Sequence, residues 1–439
     1  MPASRPRKPA APTSSSRVRR LRLHGWHHPA ILAAAALALA SGFAQFGVTT
    51  ALADVAAAFG EPVAEAGPDA SVAAQVGLSG TVIGVGLAII RLASLGALPL
   101  SGLADRAGRR RVLLACAALG LAFTALAAAS PSYWVFVAVF AAGRPLLSTT
   151  NAVAGVIAAE ETRTADRSKA VALVTAAYGI GAGLTGLLRG AFGAALTFRG
   201  LFALALVPLL CVPLIGRVLE EPDRFVRVAG AQRAPVLGRV PAPLRPRLAG
   251  VAGLAFAIAF VTGPANTYLF VYAEGVLGMS RATTGALILA AGPVGLLGLL
   301  VGRWCADRLG RRPTAAAGQV VVAAAGALTY SGGPAAAGVG YLLAILAASA
   351  YAPAFGALSA ELFPTRVRST AAGWAAAAGV LGAVAGLLAF GVLTDVLGGF
   401  APAAVMVTVP VAVAALAFVA LPETRGLELE ESAPDDAVA

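Results

Sequence analysis

Apolar residues in this chain run almost unbroken for about twenty positions, stop at a short charged stretch, and resume. Such runs lie at 30–52, 76–100, 112–130, 133–157, 169–190, 198–216, 248–272, 282–302, 314–331, 336–358, 369–394 and 399–421. A helix needs roughly 20 apolar residues to cross the hydrocarbon core, so the pattern predicts twelve transmembrane helices. Helix is the required form because lipid offers no partner for an unpaired backbone N–H or C=O. A stretch rich in Arg and Pro separates the sixth run from the seventh. The expected division is a basic tail over 1–28, a six-helix bundle over 29–218, a linker over 219–247, a second six-helix bundle over 248–421 and an acidic tail over 422–439. Ala51-Leu52-Ala53 before Asp54 imitates a signal-peptide cleavage site, but cutting there would leave eleven spans and an unpaired half.

Composition sharpens this reading. The 439 residues are 58% hydrophobic and 12% charged, where a soluble domain carries about 25% charged residues, so little chain remains for a water-soluble catalytic domain. The net charge of +12 would suggest nucleic acid in a soluble protein. Here its distribution gives another meaning. Of the 33 Lys and Arg residues, all but Arg91, Arg144, Arg189, Arg199 and Arg281 fall in tails and loops on the N-terminal side of the membrane. Cationic segments are retained in the cytoplasm, so both termini are expected there, in a multi-pass protein of the cell membrane that binds no nucleic acid. The three cysteines are far apart in sequence, and His24, His27 and His28 cluster before the first span with Trp26, as residues at headgroup level do. No metal, cofactor or enzymatic centre is expected.

The two halves echo each other. Asp105-Arg106-Ala107-Gly108-Arg109-Arg110 after the second span returns as Asp307-Arg308-Leu309-Gly310-Arg311-Arg312 after the eighth. Glu161 and Arg167 bracket the loop after the fourth span, as Glu361 and Arg368 do after the tenth. Gly108 and Gly310 suit a tight turn that demands unusual dihedrals. The acids can accept charge-assisted hydrogen bonds from Arg side chains or helix N-termini, holding the cytoplasmic ends of the halves together in one state and releasing them in another. The arginines alone could equally mark the cytoplasmic face. Parallel repeats of this kind suggest a transporter with its solute site between the halves, near the midplane.

On these motifs the chain resembles the major facilitator superfamily across essentially all twelve spans. Ser101 and Arg303 stand where that family's loop motif begins with Gly. Glu361-Leu362-Phe363-Pro364-Thr365-Arg366-Val367-Arg368 and Pro422-Glu423-Thr424-Arg425-Gly426 resemble the metabolite–proton symporter and sugar porter branches, and Glu220-Glu221-Pro222-Asp223-Arg224-Phe225 is similar to its counterpart there. The resemblance implies an all-α fold of two pseudo-symmetric six-helix bundles, with helices 1, 4, 7 and 10 lining a cavity. Ala257-Ile258-Ala259 and Phe355-Gly356 replace the paired glutamines and the Trp of a hexose site. Gly179-Ile180-Gly181-Ala182-Gly183-Leu184 lacks the Pro of drug–proton antiporters.

Polar groups inside the membrane mark function by default, because each is costly unless it faces a partner or water. Ser41, Gln45 and Thr49 share one face of the first span, and Arg144, Ser148 and Asn151 one face of the fourth. Thr262 and Asn266 form a shorter stripe in the seventh, followed by Tyr268 and Tyr272; Ser349 and Tyr351 stand in the tenth. The expected solute-binding set is Arg144, Gln45, Thr49, Ser148, Asn151, Asn266, Tyr268 and Tyr351. Arg144 presents five donors matched to a carboxylate, although it could instead brace neighbouring helices. Arg91, nearer the cytoplasmic end of its span, is read as structural. Asp54 is the candidate proton-coupling group, the other reading being a solvated helix-end residue. The gate set is Asp105, Arg106, Gly108, Arg109, Asp307, Arg308, Gly310, Arg311, Glu161, Arg167, Glu361 and Arg368.

The sequence thus predicts a monomeric secondary active or facilitative transporter of a small polar metabolite, an organic acid in the favoured case, with protons as candidate coupling ion. A drug efflux antiporter of the same fold is the alternative, and a non-transporting sensor or scaffold a remote one.

Overall fold

A computed structural model describes residues 25–63, 70–163, 166–222 and 238–427. Most of the expected basic tail, linker and acidic tail lies outside them, at 1–24, 223–237 and 428–439. The described chain is built on twelve long helices. In the first bundle these are α1 Pro29–Thr50, α2 Gly80–Ala107, α3 Arg109–Ala127, α4 Tyr133–Glu161, α5 Arg167–Phe192 and α6 Phe198–Val218. The second holds α7 Arg245–Thr267, α8 Arg281–Arg308, α9 Arg311–Thr329, α10 Pro334–Glu361, α11 Thr365–Val396 and α12 Phe400–Ala414. By length and composition, ten apolar helical stretches are able to cross a membrane. The polar stripe of α4 and the paired arginines opening α9 set these two helices apart, and they complete the twelve.

Both bundles use the same pairings. α1 packs on α5 as α7 packs on α11, and α3 on α4 as α9 on α10. Lipid tails supply no hydrophobic drive between helices, so association rests on close backbone approach at small residues. A Cβ at Gly181 would lie 1.9 Å from the Leu39 carbonyl oxygen, and one at Gly386 would lie 2.0 Å from that of Phe260. These positions admit only Gly, and they lock α1 to α5 and α7 to α11. The bundles meet along α2 with α11 and α5 with α8. The outer helices turn apolar side chains toward lipid, among them Leu210 on α6 and Val409 on α12.

Candidate functional site

α1, α2, α4, α7 and α11 enclose a central cavity of about 240 Å³. Its polar lining is Gln45 and Thr49 from α1, Arg91 from α2, Arg144 from α4, and Thr262, Asn266 and Thr267 from α7. Phe46, Leu87, Ile90, Phe140 and Leu387 supply apolar walls. Ser41 fixes the α1 stripe: its hydroxyl donates to the Leu147 carbonyl on α4 at 2.8 Å and accepts from Gln45 Nε2 at 2.9 Å. Asn266 donates through Nδ2 to the Thr262 carbonyl at 2.9 Å, which leaves its own amide oxygen without a partner among the described residues.

Four of the eight expected solute-binding residues therefore face one cavity. The other four are not on its lining. Ser148 and Asn151 sit deeper along α4, half-buried. Tyr268 is fully buried and donates to the carbonyls of Gly80 (3.3 Å) and Leu387 (3.4 Å), which makes it a strut between α7, α2 and α11. Tyr351 stacks on Phe355 with ring centroids 5.0 Å apart and packs edge-on against Phe418, within the second bundle's own core.

Arg91 joins Arg144 on the lining, contrary to the structural reading of its position. Among the described residues neither guanidinium makes a hydrogen bond or an ion pair, and the Nε of each is buried without a partner. The lining includes no Asp or Glu. Two cations thus share a small cavity with no anion of the protein's own.

At the end opposite the termini the bundles are latched. Arg189, at the end of α5, reaches Asp54 Oδ2 at 2.9 Å and both oxygens of Glu274 at 3.0 and 2.8 Å, and also donates to the Thr50 carbonyl. Arg281 at the start of α8 binds the other oxygen of Asp54 and the Gly193 carbonyl at 2.6 Å. Thr284 donates to Glu274 at 2.7 Å. Nearby, Asp395 of α11 caps α2, accepting from the Gly80 and Thr81 amides at 2.8 Å each and from the Thr81 hydroxyl at 2.6 Å. The contacts Arg189–Glu274, Arg281–Asp54, Arg281–Gly193 and Asp395–Gly80/Thr81 link one bundle to the other, while Thr284 fixes Glu274 from within the second bundle. Sequence reasoning took Asp54 as the candidate proton-coupling group, or else a solvated helix-end residue, and gave Arg189 no role. A buried Arg near the end of a span needs an acid, and Asp54 and Glu274 were the candidates at that end.

On the terminus-bearing face the ion pairs among described residues stay within one bundle. Arg109 holds Asp105 at 2.6 Å and grips Glu160 with Nε and Nη2 at 2.6 and 2.8 Å. In the second bundle Arg311 lies 3.7 Å from Asp307 and 3.4 Å from Glu361. Glu160, beside the expected Glu161, thus stands where Glu361 does. Glu221 accepts from the backbone amides of Arg109 and Arg110, and Glu423 from those of Arg311 and Arg312, both at 3.0 Å. Gly108 and Gly310 open these turns at φ of 109° and 119°. Arg368 donates to the Ala360 carbonyl at 2.9 Å, Arg308 lies 4.9 Å over the Trp304 ring, Arg106 is exposed, and Arg167 has a buried Nε without a partner among the described residues.

Comparison with known proteins agrees with this architecture. A family model described as Major Facilitator Superfamily matches residues 34–305, and one described as Sugar (and other) transporter matches 232–435. A probable 4-methylmuconolactone transporter of Cupriavidus pinatubonensis (strain JMP 134 / LMG 1197) is 28% identical over 382 residues, covering 83% of this chain and 85% of that protein. The crystal structure of a D-xylose-proton symporter superposes with a TM-score of 0.69 at 18% identity, covering 91% of this chain and 98% of its own. A bacterial homologue of the human lysosomal transporter Spinster, inward-facing and occupied, gives 0.69 at 15% identity, with 89% and 96% covered.

Proposed function

Because the chain belongs to the major facilitator superfamily, we propose that it carries a small organic anion across the cell membrane by alternating access, with both termini in the cytoplasm. Its being a membrane transporter of a small polar metabolite is the premise; the anion is our reading. The observation that carries it is the pair Arg91 and Arg144, unpartnered among the described residues in a cavity whose lining holds no acid. Guanidinium groups present forked donors that match a carboxylate, and a neutral sugar would leave both charges uncompensated. A cavity of about 240 Å³ admits a compact solute, with Thr49, Gln45 and Asn266 to hold its polar edge and Phe46, Phe140 and Leu387 its apolar body. 4-Methylmuconolactone, the solute in the relative's name, is such a molecule: a small lactone bearing one carboxylate.

Two six-helix bundles, over 29–218 and 248–421, rock about this site in our reading. Asp54 is assigned to the latch instead of to proton coupling, since both its oxygens are already taken by guanidinium groups. The acid and arginine sets of the cytoplasmic loops stiffen each bundle here and bias the gate when the bundles close on that side.

Thermal denaturation of the purified protein tests the solute class. 4-Methylmuconolactone and benzoate should raise the melting temperature, with ligand at 100-fold over Kd worth about 2.7 kcal/mol. Xylose and a lipophilic cation should not, and Arg144→Gln should abolish the carboxylate response. Stabilisation by xylose or the cation alone would refute the anion reading.

A further inference from the structure

We propose that this carrier is an anion exchanger, whose cavity crosses the membrane readily only while an anion lies between Arg91 and Arg144. The inference rests on the anion reading above and adds what happens when the solute leaves.

The two arginines most deeply buried among the described residues are matched to acids. Arg189 meets Asp54 and Glu274, and Arg109 meets Asp105 and Glu160. The two half-buried cavity arginines, on α2 and α4 of the same bundle, share a cavity with no acid on its lining. While the cavity is open, water and salt solvate them. Alternating access requires a moment when it is shut on both sides, and shutting it empty strips solvent from two like charges in a medium of low dielectric. No lining carboxylate is present to swing onto the guanidinium groups as the solute departs. A bound anion removes one of the two charges and splits the repulsion between them. The loaded carrier therefore turns over and the empty one waits for a second anion. Transport is then a trade of one anion for another, driven by their gradients.

The test uses the full-length protein in vesicles with the membrane potential clamped. External labelled 4-methylmuconolactone, with benzoate as a second probe, is offered to vesicles preloaded with the unlabelled probe or left without it. Preloaded vesicles should take up label about tenfold faster or more, since each 1.4 kcal/mol of barrier is a factor of ten. Arg91→Gln should bring the two rates together by leaving one charge, and Arg91→Lys should keep them apart. Equal rates in the wild type, or accumulation in unloaded vesicles driven by an alkaline interior, would overturn the exchange while leaving the anion site standing. An unchanged ratio in Arg91→Gln would also overturn it. If Arg91→Gln fails to fold, the wild-type comparison and Arg91→Lys still decide. Absence of both uptake and thermal stabilisation would bring down the anion site and the exchange with it.

Discussion

Arg189 keeps 2% of its side-chain surface exposed, yet it has two carboxylates and a backbone carbonyl within reach. Removing one partner from such a buried set costs more than the set contributes, because the remaining charges stay buried without compensation, by about 3–5 kcal/mol. Arg189→Gln should therefore lower the melting temperature and loosen the latch, so that a cysteine at Thr49 becomes reactive to impermeant reagents applied from the side opposite the termini. Unchanged stability and labelling would remove Arg189 from the latch. At this scale the sequence showed residue types well and depths poorly. Arg144 stood out as a mid-span cation. Arg91 did not, because the span was drawn at 76–100, whereas the helix runs Gly80–Ala107 and brings Arg91 to its middle. Tyr268 was misplaced for a different reason. It follows Asn266 by two positions, which at 3.6 residues per turn turns it about 200° round the helix, and its amide still bonds to the Pro264 carbonyl in α-helical register, so it faces away from the stripe.

At the level of elements, the paired loops act as caps. The first turns of α3 and α9 expose backbone amides, and Glu221 and Glu423 at the ends of α6 and α12 satisfy them across more than a hundred residues of chain. Both segments, Glu220-Glu221-Pro222 and Pro422-Glu423-Thr424, were visible as likenesses to family motifs, but their purpose was not, since the partner amides are remote in sequence. Glu423→Ala should cost about 1.5–3 kcal/mol for the lost charge-assisted bonds, read as a drop in thermal stability. Gly310→Ala should cost about 1–3 kcal/mol: its φ is 119° and a Cβ would sit 2.7 Å from Glu423 Oε2. A stability equal to wild type in both variants would show that these turns are not held by the cap.

For the molecule as a whole, the twelve crossings and the twofold repeat were readable from apolar runs and loop motifs, because lipid imposes one length and one backbone form on each span. The conformation was not, since a single sequence encodes every state of the cycle. What the structure adds is an asymmetry: the ion pairs Arg189–Glu274 and Arg281–Asp54 cross between the bundles opposite the termini, whereas those described on the terminus-bearing face do not. α5 and α8 touch where a Cβ at Gly190 would lie 3.4 Å from the Ala282 Cα. Oxidising a Gly190→Cys, Ala282→Cys double variant should hold this state and stop uptake, with reduction restoring it. Continued uptake by the crosslinked protein would mean that these helices need not part.

The latch also gives the resting carrier a sidedness that pharmacology would meet directly. A blocker shaped to the arginine pair should act sooner when delivered from the side on which no described ion pair joins the bundles. Delivered from the other compartment it must wait for Asp54 and Glu274 to let go, so its onset there reports the frequency of that release.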